Sequence, residues 1–226
     1  MSVGTASRSG GEPPSVLIAA KAPVPGRVKT RLSPPLSPEL AARLAEAFLA
    51  DVLATARTLD PGAGFLCPPG DAADLRARFP GAAVVSQSGE GLTGALATGL
   101  ATGAVVVAGD APAIRAETIA AALAAHAELV LAPSHDGGFG LVRFRGDAQA
   151  LFARVAWSTG SVLDQTVAAA RAAGLGVELL DPVPDVDTMS DLAGVDVARA
   201  AATRAVLESM RVPAWDQAHV QASPPR

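Results

Sequence analysis

Short, largely apolar runs recur along the chain at Val16–Ala20, Gly64–Cys67, Ala82–Ser86, Ala104–Ala108, Glu128–Ala132, Phe139–Phe144 and Val177–Leu180. Several are continuously apolar rather than alternating, which marks strands covered on both faces, as in a mostly parallel sheet. Helical periodicity fills the intervals. The clearest helix starts after Ser37, with Pro38 at the first helical position and Glu39 in the first turn, where a carboxylate favours the dipole. Leu40, Leu44, Phe48 and Val52 then recur every four residues as one stripe for burial, leaving Arg43, Glu46 and Arg57 to other faces. Further helices are expected over Glu117–Ala127, Ser161–Ala173 and Asp191–Met210, the last introduced by a capping pair, Thr188 and Asp191.

Strand and helix thus alternate, which predicts an α/β fold: a single doubly wound, mostly parallel sheet that binds ligands at the carboxyl ends of its strands. Motifs should therefore follow strands. The predicted domain spans residues 15–211, with polar or proline-bearing flexible tails at 1–14 and 212–226.

Composition narrows the classes. A chain of 226 residues suits one domain of this kind; half its residues are apolar but only 4% aromatic, so its core rests on Leu, Val and Ile. A net charge of −4 argues against a sequence-independent grip on nucleic acid. The single cysteine, Cys67, can form no internal disulfide and is expected as a buried structural thiol in a reducing compartment. Neither a signal-type apolar stretch nor a membrane-length run is present, so a cytoplasmic protein with no membrane partner is expected.

Positive charge is concentrated where a ligand would bind. Lys21, Arg27, Lys29 and Arg31 fall in the segment Lys21–Leu32 directly after the first strand, together with Gly26 and Thr30. A phosphate chain calls for close backbone approach, a glycine at the turn, hydroxyl donors and cations, all of which this loop contains. It is neither a Walker A loop nor a dinucleotide fingerprint. A solvated basic loop is the plain alternative.

Aspartates follow later strands. Asp110 ends the apolar run Val105–Ala108, at the mouth of the sheet, where one or two carboxylates commonly hold Mg²⁺ alongside water and phosphate oxygens. Asp185 and Asp187 alternate in an extended segment, which places both on one face, where one could complete a metal site or favour the next helix N-terminus. The stretch Ser134–Phe139 reads as a hairpin turn whose Gly137 and Gly138 let a ligand lie against the backbone, with Asp136 contacting substrate hydroxyls or a metal. No nucleophile paired with a base stands out: Trp157–Ser161 also reads as a helix start, so catalysis by positioning and charge is expected.

In this order the motifs resemble a bacterial family of unknown function, described as glycosyltransferase-like, in the GT-A fold of nucleotide-diphospho-sugar transferases. The matching features are Lys21–Leu32, Gly109–Pro112, Asp136–Phe139, Trp157–Ser161 and Asp185–Thr188. A more distant resemblance is to the phospholactate guanylyltransferases, through Lys29–Leu32, the glycine-leucine segment Gly91–Leu96 and Asp185–Thr188. The resemblance implies that the loop after the first strand cradles the nucleotide and that Gly91 lies against it. It also implies a metal pair of Asp110 and Asp187, with Asp185 as second choice, holding Mg²⁺ or Mn²⁺.

The function expected is a Mg-dependent nucleotidyltransferase that moves an NMP group from a nucleoside triphosphate to a small anionic acceptor. Lys29, Arg31, Asp110 and Asp136 are the candidate catalytic residues, and Lys21, Gly26, Arg27, Thr30, Gly91, Gly137 and Gly138 the candidate nucleotide contacts. Alternatives are a glycosyltransferase using a nucleotide-sugar donor, or a non-catalytic nucleotide-binding module.

Overall fold

The computed structural model describes residues 13–210. The seven strands are β1 (Val16–Ala19), β2 (Gly64–Cys67), β3 (Ala83–Ser86), β4 (Val105–Ala108), β5 (Leu129–Pro133), β6 (Phe139–Phe144) and β7 (Val177–Leu179). The helices are α1 (Pro38–Arg57), α2 (Ala72–Arg78), α3 (Gly91–Leu100), α4 (Ala116–Ala124), α5 (Ala148–Phe152), α6 (Val162–Ala172), α7 (Met189–Ala193) and α8 (Ala201–Met210). The expected tails fall mainly on residues 1–12 and 211–226, which lie outside the described residues. Among the described residues, no helix is long and apolar enough to cross a membrane.

The strands form one mixed sheet in the order β3-β2-β1-β4-β6-β5-β7. Every pairing is parallel except those of β6, which runs antiparallel to both β4 and β5. The strand order reverses direction between β1 and β4, which pair from Val16↔Val105 to Ala19↔Ala108. That reversal opens a crevice at their carboxyl ends, where doubly wound sheets bind ligands.

Both sheet faces are covered, which explains the continuous hydrophobicity of the strands. Val16, Ile18, Phe65, Val105 and Val107 pack on one side against α1, α2 and α4. Leu17, Leu66, Val106, Leu131 and Val142 pack on the other against α3, α5 and α6. The stripe of α1 behaves as its spacing predicts: Leu44, Phe48 and Val52 are wholly buried, each contributing roughly 1.5–3 kcal/mol by leaving water. Ser37 caps this helix by accepting a hydrogen bond from Leu40 N, 3.3 Å.

A third cluster, Leu32, Leu36, Leu44, Phe48, Val186, Leu192 and Leu207, joins α1 to α7, α8 and the loop after β1. A buried carboxylate ties it down. Asp51 of α1 accepts from Ala202 N and Thr203 N at 2.8 Å each and from Thr203 Oγ1 at 2.6 Å, so it serves as the cap of α8 from 151 residues away.

The expected helix over Asp191–Met210 is instead two, α7 and α8. The capping box of Thr188 and Asp191 forms as expected, but α7 ends at Gly194. Asp196 then accepts from Ala198 N, 3.2 Å, and Arg199 Nε, 2.9 Å, in a turn that competes with helix. The single thiol is buried as expected.

Candidate functional site

Gly109 sets the geometry of the crevice. A Cβ there would come within 2.6 Å of Leu49 Cδ2 and 2.7 Å of the Ala19 carbonyl, so only glycine lets the end of β4 lie this close to the end of β1. Gly109 N donates to Ala19 O at 3.1 Å, and the next residue, Asp110, emerges at the crevice mouth. The extended segment before α7 is docked on the same edge by Val183 N to Pro133 O, 2.7 Å, and Val186 N to Asp110 O, 3.0 Å. These bonds bring Asp185 and Asp187 beside Asp110.

The loop after β1 closes the other side. Asp71, buried beyond β2, accepts from Ala22 N at 3.1 Å and from Arg27 Nη2 at 3.2 Å. Arg27 is therefore tethered to the scaffold through one nitrogen, while its side chain is 63% exposed. Lys29 adopts a left-handed backbone, φ 46°, uncommon for a residue with a side chain. Its ammonium donates to Asp110 Oδ2 and Asp187 Oδ1, both at 2.7 Å, and the side chain is only 12% exposed. Arg31 Nη1 reaches Asp187 Oδ2 at 3.3 Å from a largely exposed position. Burial alone would weaken the lysine's hold on its proton, but the charges of and hydrogen bonds to Asp110 and Asp187 outweigh it and raise its pKa.

A cleft of about 1000 Å³ runs from this cluster across the sheet edge. Its lining includes Lys21, Arg27, Lys29, Thr30 and Arg31 of the loop after β1, and Gly91 at the start of α3. Asp136, Gly138, Phe139, Trp157, Ser158 and Thr159 line the cleft as well. Among the described residues lining the cleft, every Lys and Arg belongs to the loop after β1. Trp157 is fixed by donating its indole N–H to Thr93 Oγ1, 2.7 Å, and by packing on Phe152 and Phe139 with ring centroids 5.6 and 6.3 Å away. Ser158 beside it has φ 62°, a left-handed conformation of the kind that gathers at ligand sites.

The turn between β5 and β6 forms as the sequence predicts. Asp136 Oδ1 accepts from Gly138 N, 2.9 Å, and from Ser134 Oγ, which leaves its second oxygen outside the turn's bonding. Gly137, expected against a ligand, also packs against a neighbouring loop. Its φ is +84° and a Cβ would overlap the carbonyl of Gly160, so it packs the hairpin against the Trp157 loop, and its own carbonyl accepts from Leu163 N at 2.8 Å.

Asp185 is half-buried, and burial together with the charges of Asp110, Asp136 and Asp187 pushes its pKa up to about 6. Lys29 and Arg31 supply the cations that meet this crowd of carboxylates. The donor set of Asp110, Asp187 and Asp185 is all oxygen, which fits a hard divalent ion such as Mg²⁺. Among the described residues no three His, Cys, Asp or Glu are arranged as a ready-made cage. Mg²⁺ is usually held by one or two carboxylates with water and substrate phosphates completing the shell, a role two of these aspartates could fill.

Asp71 and Thr93 were not singled out by sequence. Asp71 had a signal, being an acid just past an apolar strand as Asp110 is; Thr93 had none, because its partner lies 64 residues away.

Comparison with known proteins agrees with the fold. A candidate nucleotide-diphospho-sugar transferase from Desulfovibrio desulfuricans G20 is 28% identical over 86% of this chain and 93% of its own, with a TM-score of 0.77. A nucleotidyl transferase from Methanothermobacter thermautotrophicus, 15% identical over 84% of this chain and 97% of its own at a TM-score of 0.51, shares the fold. No functionally curated protein matches the sequence. Residues 52–159 match the family described as uncharacterized protein conserved in bacteria (DUF2064), so the resemblance to a bacterial family of unknown function with the nucleotide-diphospho-sugar transferase fold is borne out.

Proposed function

We propose that the protein is a nucleotide-dependent transferase assisted by a divalent metal. The observation that carries this reading is the convergence of Lys29, Asp110 and Asp187 at the point where the strand order reverses, inside a cleft lined by a basic loop. Lys21, Lys29, Arg31 and the exposed face of Arg27 would receive the phosphate chain, with Thr30 adding a hydroxyl. Asp110 and Asp187 would hold Mg²⁺, with Asp185 adjoining; when bound, the ion supplies charge neutralisation on phosphate oxygens.

In nucleotidyl transfer, an acceptor oxygen forms a bond to the α-phosphorus while the bridging α–β bond breaks and pyrophosphate leaves. Lys29 and Arg31 would stabilise the charge gathering on that leaving group. Asp136, through the oxygen not used in its turn, would orient the acceptor.

A specific observation favours a second reading, glycosyl transfer from a nucleotide sugar. The β5–β6 turn and the Trp157 loop contribute no Lys or Arg to the cleft lining among the described residues, yet offer Asp136, Ser158, Thr159 and two aromatic rings, chemistry suited to an uncharged hydroxylated group. The similarity to a protein described as a candidate nucleotide-diphospho-sugar transferase points the same way.

Two measurements test these readings. A thermal-shift screen of nucleoside triphosphates and nucleotide sugars, with and without Mg²⁺, identifies the donor, because a ligand of the native state raises apparent stability. Release of pyrophosphate identifies the first reaction and release of a nucleoside diphosphate the second. Asp110→Asn is expected to abolish turnover with the fold intact; full activity in that variant refutes the metal assignment, and nucleotide binding without turnover of any acceptor would indicate a binding module.

A further inference from the structure

The ammonium of Lys29 contacts Asp110 Oδ2 and Asp187 Oδ1, one oxygen of each carboxylate that would hold the metal. At 2.7 Å from both, it leaves no room for a second cation between them, and two positive charges at such range repel strongly in a partly buried site. We infer that Lys29 is a resident counterion of the metal position, and that metal and ammonium exchange there. This inference rests on the metal reading above.

Three features support it. Lys29 reaches the carboxylates from a left-handed backbone position, so the chain is shaped to aim this side chain inward rather than along the exposed loop. Asp187 keeps a second cation, Arg31 at 3.3 Å, and a backbone anchor through Asp187 N to Asp191 Oδ2, 3.1 Å, so departure of Lys29 does not release the carboxylate. The same loop carries the cations that face the cleft, so the displaced ammonium has a destination: the phosphate chain. A nucleotide thereby draws Lys29 off the carboxylates as it brings phosphate oxygens to the metal, and each ligand raises the affinity of the other by the same factor. The metal alone must displace the lysine without that help and binds weakly.

The test is binding of Mn²⁺ alone, without nucleotide, followed by the loss of the free-ion electron paramagnetic resonance signal. Lys29→Met removes the charge; Lys29→Gln keeps a polar head without it; Lys29→Arg keeps the charge. Lys29→Met and Lys29→Gln are expected to bind Mn²⁺ at least about tenfold more tightly than the unaltered protein, since about 1.4 kcal/mol of relieved repulsion gives that factor. Lys29→Arg should stay as weak as the unaltered protein. Adding Asp110→Asn to Lys29→Met should remove the gain. Thermal melts of each variant with and without Mn²⁺ confirm folding, and the Mn²⁺-induced rise in Tm should follow the same order. Equal Mn²⁺ affinity in Lys29→Met, Lys29→Gln and the unaltered protein overturns the exchange while leaving the metal site standing. Absence of Mn²⁺ binding in every folded variant overturns the metal reading itself.

Discussion

Asp51→Ala is the sharpest test of how the loop region is held. The carboxylate is 6% exposed and accepts three hydrogen bonds, all at the first turn of α8. A hydrogen bond to a charged group contributes about 1.5–3 kcal/mol net, so three would sum to about 4.5–9 kcal/mol if independent. They are not independent, because one side chain serves all three and the freed amides can take up water as the helix frays. An ordinary cap loss, about 0.5–2 kcal/mol, is the lower bound, and buried donors left unpaired, about 1–3 kcal/mol each, raise it. We expect a loss of about 3 kcal/mol, seen in urea denaturation as a lower midpoint, and a fall in Tm of roughly 6–12 °C for a domain of this size. Amide exchange should quicken first in α8 and then around Leu32 and Val186, which share its apolar cluster. A fall in Tm under about 2 °C with unchanged exchange in α8 refutes this account of the anchor.

Two glycine substitutions should differ in effect. Gly137→Ala, which combines φ +84° with overlap on the Gly160 carbonyl, should cost more than about 2 kcal/mol by calorimetry and shift the fluorescence of Trp157; Gly26→Ala has the same backbone handicap but open space, and should cost only about 1 kcal/mol. Burial pushes the Cys67 thiol from its ordinary value of 9.0 up to about 11, so the folded state keeps its proton after the unfolded state has lost it. Stability is then retained below pH 9 and declines by about 2–3 kcal/mol as pH passes from about 9 to beyond about 11, a decline that Cys67→Ala should lack in urea titrations across that range.

Local rules made most of the sheet legible. Strands buried on both faces announce themselves as unbroken apolar runs, so β2 and β6 have their expected limits and the other five differ by a residue or two. The capped start of α1 and the Thr188–Asp191 box were equally readable, since each lies within one turn of chain. Helix α3 was not singled out because Gly91, Gly94 and Gly99 lower its propensity. Two of these are required by close packing: a Cβ on Gly99 would meet Leu66 and Val106 at 2.8 Å, and one on Gly94 would meet the backbone of Gly89 at 2.6 Å. At the site, the resemblance assigned the basic loop and the aspartates to one nucleotide site, but the direct ion pairs between them lay beyond any local pattern. Lys29 meets Asp110 across 81 residues and Asp187 across 158, and only the strand order brings those distances to 2.7 Å.

The reversed direction of β6 has a consequence for how the cleft could change over time. Because β6 runs against β4 and β5, the short turn from Ser134 to Gly138 opens at the same sheet edge as Asp110 without any crossover helix. Insertions or deletions at this tip would reshape the cleft lining around Trp157 while leaving the register of β1, β2 and β4 untouched. Divergence of substrate preference among relatives has here a route that leaves the part built on β1, β2 and β4 as a fixed chassis.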